Sequence, residues 1–135
     1  MSTRLLFVCT GNTCRSPLAE ALAAARGVTA ESAGVDAEVG DGAAPNAERA
    51  LRDARGLSLR DHEPRDVSKV QQLSEFEWIV AMSPAVAREL REKHNVDPGM
   101  LIVWAVPDPY GGSLADYRWC LEQISTALDD VLSKE

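Results

Sequence analysis

Arg4-Leu-Leu-Phe-Val-Cys9-Thr-Gly-Asn-Thr-Cys14-Arg-Ser-Pro17-Leu-Ala-Glu-Ala-Leu22 is the stretch that decides the fold. Its first six residues form an apolar run too continuous for a half-exposed strand, so they read as a central parallel strand buried on both faces. Ser16-Pro17 then opens a helix, with Ser16 expected as the N-cap and Pro17 at the first helical position, where a missing N–H costs nothing. Leu18, Ala21, Leu22 and Ala25 supply its apolar stripe as far as Gly27. Outward from there the same alternation repeats. Residues 28–34 form a weaker second strand, and 35–44, with Gly40 and Gly42, form a loop. Residues 45–55 form a helix (Ala47, Ala50, Leu51, Ala54) ended by Gly56. A third strand over 77–82 precedes Ser83-Pro84 and a helix to about His94, and residues 100–105 form a fourth strand. Ser113, with Asp116 three positions on, announces a last helix whose apolar residues Leu114, Tyr117, Leu121, Ile124, Leu128 and Val131 step by three or four. Strands alternating with helices predict an α/β fold: one doubly wound four-stranded parallel sheet of order 2-1-3-4, helices on both faces, in one domain over residues 1–135. Ligands in such sheets sit at the carboxyl ends of the strands, where the strand order reverses. Cys9 ends the first strand.

Composition narrows the partners. The chain has 135 residues, of which 45% are hydrophobic and 26% charged, a globular balance. The net charge is −7, which argues against holding a nucleic-acid backbone or an anionic membrane by bulk electrostatics. The first thirty residues nevertheless carry Arg4, Arg15 and Arg26 against Glu20 alone, so an anion is expected to bind near this end. No apolar run approaches the ~20 residues of a membrane span. Met1 to Cys9 lacks a signal-peptide cleavage pattern, and three cysteines, Cys9, Cys14 and Cys120, make a poor disulfide framework, so a reducing cytoplasm is expected.

The loop after Cys9 carries the chemistry. Gly11 and Asn12 tolerate left-handed backbone angles, which lets successive N–H groups of Thr10 to Ser16 turn inward as an anion cradle. The helix N-terminus adds unpaired donors and partial positive charge. Arg15 adds a planar fork able to grip two phosphate oxygens. Cys9 at the bottom of that bowl is favoured as thiolate, a nucleophile for phosphoryl transfer. There is no G-x-x-x-x-G-K and no G-x-G-x-x-G, so this is not a nucleotide loop. Asp108, in Pro107-Asp108-Pro109-Tyr110-Gly111 after the fourth strand, lies on the same sheet edge as Cys9 and is placed to serve as the acid for the leaving group.

These residues resemble the low-molecular-weight protein tyrosine phosphatases. Val8-Cys9-x-Gly11-Asn12-x-Cys14-Arg15-Ser16-Pro17 and Asp108-Pro109-Tyr110 carry the resemblance, with Ser32-Ala33-Gly34 and with His62 followed by Arg65. The resemblance covers essentially the whole chain. It implies a metal-free and cofactor-free two-step hydrolysis of a phosphorylated protein through a cysteinyl-phosphate. Cys9 is then the nucleophile, Arg15 holds the equatorial oxygens, and Asp108 is general acid and later base. Thr10, Gly11, Asn12, Thr13, Cys14, Ser16 and Tyr110 face the substrate. Ser16 also steadies the thiolate, and Asn12, Ser32 and His62 lock the loop. Cys14 is implied as a disulfide partner protecting Cys9, with plain loop packing as the alternative. Tyrosine-specific members usually carry an apolar residue where this chain has Thr13. In that respect the loop resembles the bacterial protein-arginine phosphatases, which tilts the substrate towards phosphoarginine, with phosphotyrosine as the alternative.

Other readings compete. A buried structural cysteine at position 9 would not need Arg15 or the Gly-Asn turn. Zinc binding by Cys9 and Cys14 lacks a second ligand pair, because His62 and His94 have no ligand spacing. An arsenate reductase would need relay cysteines beyond Cys120, and a phosphocarrier would need neither Arg15 nor Asp108. Cys120, Trp78 and Trp104 are expected in the core and Trp119 partly exposed. Arg49, Arg52 and Arg55, balanced by Glu48 and Asp53, read as a solvated helix face.

Overall fold

The structure, a computed structural model, describes residues 4–37, 39–40 and 42–133. In chain order it runs β1 (Arg4–Cys9), α1 (Arg15–Ala25), β2 (Thr29–Gly34), α2 (Pro45–Arg55), β3 (Trp78–Ala81), α3 (Pro84–His94), β4 (Leu101–Val103) and α4 (Leu114–Leu132). The four strands form one parallel sheet in the order β2-β1-β3-β4. The expected architecture and strand order are therefore those observed.

Side chains alternate across β1, and this sorts the core into two layers. Leu5, Phe7 and Cys9 face α1, α2 and α4, where they meet Leu18, Leu22, Leu51, Tyr117, Leu121 and Ile124. Leu6 and Val8 face the other way, onto Val86 and Leu90 of α3 and onto Val67, Val70 and Phe76. Each such fully buried large side chain contributes roughly 1.5–3 kcal/mol. Trp104 is buried against Phe7, with ring centroids 5.8 Å apart. Trp78 is half-buried and Trp119 is exposed.

Helix ends follow the local chemistry in three of four cases. Pro45 opens α2, and Gly56, at φ 68°, closes it in the left-handed region that an L side chain resists. Ser83 caps α3 through Val86 N–H. Ser113 and Asp116 form a reciprocal capping box at α4: the Asp116 N–H donates to Ser113 Oγ at 3.2 Å and the Ser113 N–H to Asp116 Oδ2 at 2.9 Å. The first helix departs from expectation. It begins at Arg15 with Cys14 in the cap position and no side-chain cap bond, so Ser16 lies inside the first turn. Its hydroxyl is engaged by Cys9 and Asn12 instead, a tertiary demand that outbids the local one.

Residues 57–77, which carry no helical or strand period, contain two short 3-10 turns at Val67–Lys69 and Leu73–Glu75; a third sits at Pro98–Met100. Strands β3 and β4 are shorter than the apolar runs suggest, yet ladder-like bonds continue past them. Trp104 N–H donates to Ala81 C=O at 2.8 Å, and Val106 N–H to Met82 C=O at 3.0 Å. That extension carries residues 107–110 to the sheet edge where Cys9 ends. No helix among the described residues is long and apolar enough to cross a membrane.

Candidate active site

Cys9 is the last residue of β1 and is 2% exposed. The chain turns immediately after it, and the turn is made at Asn12, whose φ of 58° is left-handed. That turn aims the Asn12 N–H at Cys9 Sγ, 3.3 Å away. Ser16 Oγ, one helical turn along, lies 2.9 Å from the same sulfur. The nucleophile candidate thus sits between a backbone donor and a hydroxyl.

Asn12 is fully buried and every polar group of its side chain is used. Its Nδ2 donates to Ser16 Oγ (2.8 Å) and Ser32 Oγ (3.0 Å), and its Oδ1 accepts from the Arg65 N–H (2.9 Å). Its carbonyl lies 2.7 Å from His62 Nε2. A carbonyl can only accept, so that nitrogen carries the proton. Ser32 in turn donates to Glu20 Oε1 at 2.5 Å. The polarity of the row follows from its end. The Glu20 carboxylate takes the Ser32 hydrogen, Ser32 must accept from Asn12, and Asn12 donates to Ser16. The Ser16 hydrogen is left to point at Cys9 Sγ, with the Ala33 carbonyl a longer contact at 3.4 Å. Four residues from α1, β2 and the loop, Glu20, Ser32, Asn12 and Ser16, therefore orient one hydroxyl on one sulfur.

Arg15, 4% exposed, stands on the rim. It donates to the Val106 carbonyl (3.0 Å) and Thr10 Oγ1 (3.3 Å), and its Nη2 lies 3.6 Å from Asp108 Oδ2. Its Nε is buried with no hydrogen-bond partner. A buried cation with an unspent donor, beside a loop whose Asn12 N–H turns inward, is suited to hold an anion. Asp108 is 46% exposed at its side chain and is steadied by the Tyr110 N–H, 3.1 Å from Oδ1. Tyr110 itself is exposed at the mouth.

Thr13 is 8% exposed, with Oγ1 3.7 Å from Cys14 Sγ. Cys14 Sγ also meets the Tyr117 hydroxyl at 3.4 Å. Burial pushes the Cys14 thiol above its ordinary value despite these hydrogen bonds, and burial likewise raises Tyr117. Burial pushes Cys120 up to about 12, which favours its neutral thiol. All three cysteines are free. Among the described residues no three His, Cys, Asp or Glu side chains come together as metal ligands.

The structure thus gathers Cys9, Thr10, Asn12, Thr13, Cys14, Arg15, Ser16, Ser32, His62, Asp108 and Tyr110 around one strand end. Gly11 lies in the same turn. Sequence reasoning passed over Glu20, which falls on the same face of α1 as Ser16 at i, i+4 spacing. It also read Tyr117 only as core. Arg65 contributes its backbone N–H to Asn12 and its side chain to the Ser32 carbonyl and to Glu31.

A model of the low molecular weight phosphotyrosine protein phosphatase family matches residues 4–135, and the chain belongs to that family of hydrolases. Among its relatives is a low molecular weight protein-tyrosine-phosphatase of Streptomyces coelicolor, 34% identical over 98% of this chain and 93% of that one. Another is a protein-arginine-phosphatase of Geobacillus stearothermophilus, 32% identical over 99% and 97%. The crystal structure of a low molecular weight protein tyrosine phosphatase from T. tengcongensis superposes with a TM-score of 0.90 at 32% identity, covering 99% of this chain and 100% of that one.

Proposed function

We propose that this chain dephosphorylates protein side chains through a cysteinyl-phosphate on Cys9, with phosphoarginine as the preferred substrate. The observation that carries the reading is the setting of Cys9 Sγ. It is held by Ser16 Oγ at 2.9 Å and the Asn12 N–H at 3.3 Å, under an Arg15–Asp108 pair 3.6 Å apart.

In the first step the Cys9 thiolate attacks phosphorus while the bond from phosphorus to the leaving atom breaks. Asp108 gives its proton to that atom, a guanidino nitrogen or a phenolic oxygen. Arg15 and the loop amides hold the three remaining phosphoryl oxygens as charge builds on them. In the second step Asp108 takes a proton from water, the water oxygen bonds to phosphorus, and the S–P bond breaks to release phosphate. The Ser16 hydrogen steadies Cys9 both as nucleophile and as leaving group. The row through Asn12, Ser32 and Glu20, together with His62, keeps the loop in the shape that makes this possible.

Support for phosphoarginine rests on Thr13 and on the arginine phosphatase among the relatives. The Thr13 hydroxyl meets Cys14 Sγ at 3.7 Å, and a hydroxyl that donates to sulfur keeps oxygen lone pairs to accept from a guanidino N–H. A phenyl ring offers no such donor, which makes phosphotyrosine the second reading. Three free cysteines and a charge of −7 accord with a reducing cytoplasm and a protein substrate, rather than nucleic acid or membrane.

Cys9→Ser tests the mechanism. Turnover of p-nitrophenyl phosphate is expected to vanish while phosphate still binds. A variant that keeps a tenth of the activity shows that another nucleophile is at work.

A further inference from the structure

Two large aromatic side chains are exposed among the described residues, Tyr110 and Trp119, each at 62%. They line the same cavity. It has a volume of about 170 Å³, and Asp108 forms part of its wall with Asp116 and Gln123. Trp119 and Gln123, one turn apart on α4, also wall a second cavity of about 430 Å³ bounded by Trp104, Val106 and Ala127. The two hollows are adjacent, with Trp119 and Gln123 in the walls of both, and together they mark a trough that starts at the proposed acid and runs along α4. Gln123 Oε1 is buried without a hydrogen-bond partner.

Beyond Asp108 and Tyr110 at its start, neither the phosphoryl cradle nor the proton transfer uses this trough. A scattered exposed apolar residue needs no explanation, but an exposed indole facing an apolar hollow is where binding energy concentrates. Fully burying it removes a large apolar surface from water. We infer that the trough receives the segment of the phosphoprotein substrate beside its phosphorylated residue, and that Trp119 selects a bulky apolar side chain there. The inference rests on the phosphatase reading, because the occupant is tied to the active site by Asp108 and Tyr110.

The dimensions suit an extended peptide. Asp116 to Ala127 spans eleven helical steps, roughly 17 Å at 1.5 Å each. An extended chain covers that in about five residues. A substrate backbone N–H passing over Gln123 finds an acceptor in its Oε1 once the side chain turns outward. Charge sets a second condition. The charged residues lining the two cavities are Asp108, Asp116 and Glu122, with Glu122 paired to Arg55 at 3.1 Å. Among the described residues no lysine or arginine lines either cavity, so an acidic flank is repelled and a neutral or basic one accepted.

The test compares substrates that reach the trough with one that does not. Phosphopeptides carrying leucine, glycine or glutamate at the flanking positions, prepared with phosphoarginine and with phosphotyrosine, are assayed beside p-nitrophenyl phosphate, which ends at its ring. Wild type is expected to prefer leucine over glycine over glutamate flanks. Trp119→Ala is expected to lower the ratio of kcat/KM on the leucine-flanked peptide to that on p-nitrophenyl phosphate about tenfold, mostly through KM, as truncation of a central aromatic anchor does. Trp119→Phe should restore part of that ratio. Equal losses on all substrates, or flank preferences that survive Trp119→Ala, overturn the trough. A wild-type chain that hydrolyses none of these substrates overturns the phosphatase reading itself, which is a different result.

Discussion

Replacing Gly34 by alanine adds one methyl group, and the structure shows what that methyl would meet. A Cβ at Gly34 falls 2.5 Å from the Thr10 carbonyl oxygen, 3.0 Å from Asn12 N and 3.1 Å from the Gly11 carbonyl carbon. All three are backbone of the loop after Cys9, so no flexible side chain can swing aside. The shortest contact is about 0.9 Å inside the 3.4 Å at which ordinary packing begins. Gly34 cannot retreat easily either. It is paired with Cys9 in the sheet, and its N–H donates to the Arg65 carbonyl at 2.9 Å. The loop must therefore open by most of an ångström. Overpacking of this kind costs about 1–3 kcal/mol of stability. A misplacement near 1 Å in the reacting constellation costs on the order of 100-fold in rate. The expected variant is a folded protein with Tm lowered by about 4 °C per kcal/mol and kcat/KM on p-nitrophenyl phosphate down about 100-fold. Thermal melts and steady-state kinetics read both. A Gly34→Ala protein with wild-type kcat/KM would refute the claim that β2 shapes the cradle. One that loses activity only in proportion to its unfolded fraction would refute the separate effect on geometry.

Asp108→Asn should cost about 100- to 10,000-fold on substrates with basic leaving groups and far less on p-nitrophenyl phosphate; a uniform loss across leaving groups removes Asp108 as the acid. Thr13→Ile should shift the kcat/KM ratio of phosphoarginine to phosphotyrosine peptides towards phosphotyrosine by about tenfold or more; a ratio that does not move returns the discrimination to other residues. Glu31 is held below its ordinary carboxylate value, chiefly by the Arg65 hydrogen bond at 2.6 Å and further by Arg4 at 3.2 Å. A depressed value means its stabilisation is present above the unfolded pKa of 4.5 and is lost as pH falls through the folded one. Glu31→Gln should thus lower Tm at neutral pH, by less than the equivalent of about 1 kcal/mol because the pair is partly exposed, and the gap should close in acid. A gap that is constant with pH would contradict this.

What could be read from the sequence was what short-range chemistry encodes. The apolar run over residues 4–9, the Pro45 and Gly56 boundaries of α2 and the Ser113–Asp116 box all act within a few positions, and all appear in the structure where they were expected. Ser16 misled because a serine before a proline is a cap by local rules, whereas the folded chain uses its hydroxyl on Cys9. Residues 57–77 have no period to read, yet they carry His62 and Arg65 to the back of the loop. Glu20 and Tyr117 were equally silent. Each looks like an ordinary helix residue until β2 brings Ser32 to the first and the loop brings Cys14 to the second.

The separation of Cys9 and Asp108 along the chain has a consequence in time. During synthesis at about 5–20 residues per second, roughly 5–20 s pass between translation of Cys9 and translation of Asp108. The helix that packs over α1 and α2, and that brings Tyr117 to Cys14, is made later still. A ribosome-bound chain therefore carries Cys9 before it owns Asp108 or the helix that covers Cys14. In that interval the bonds from Ser16 and Asn12 to the Cys9 sulfur can form, since their residues are already made, while the Arg15–Asp108 pair cannot.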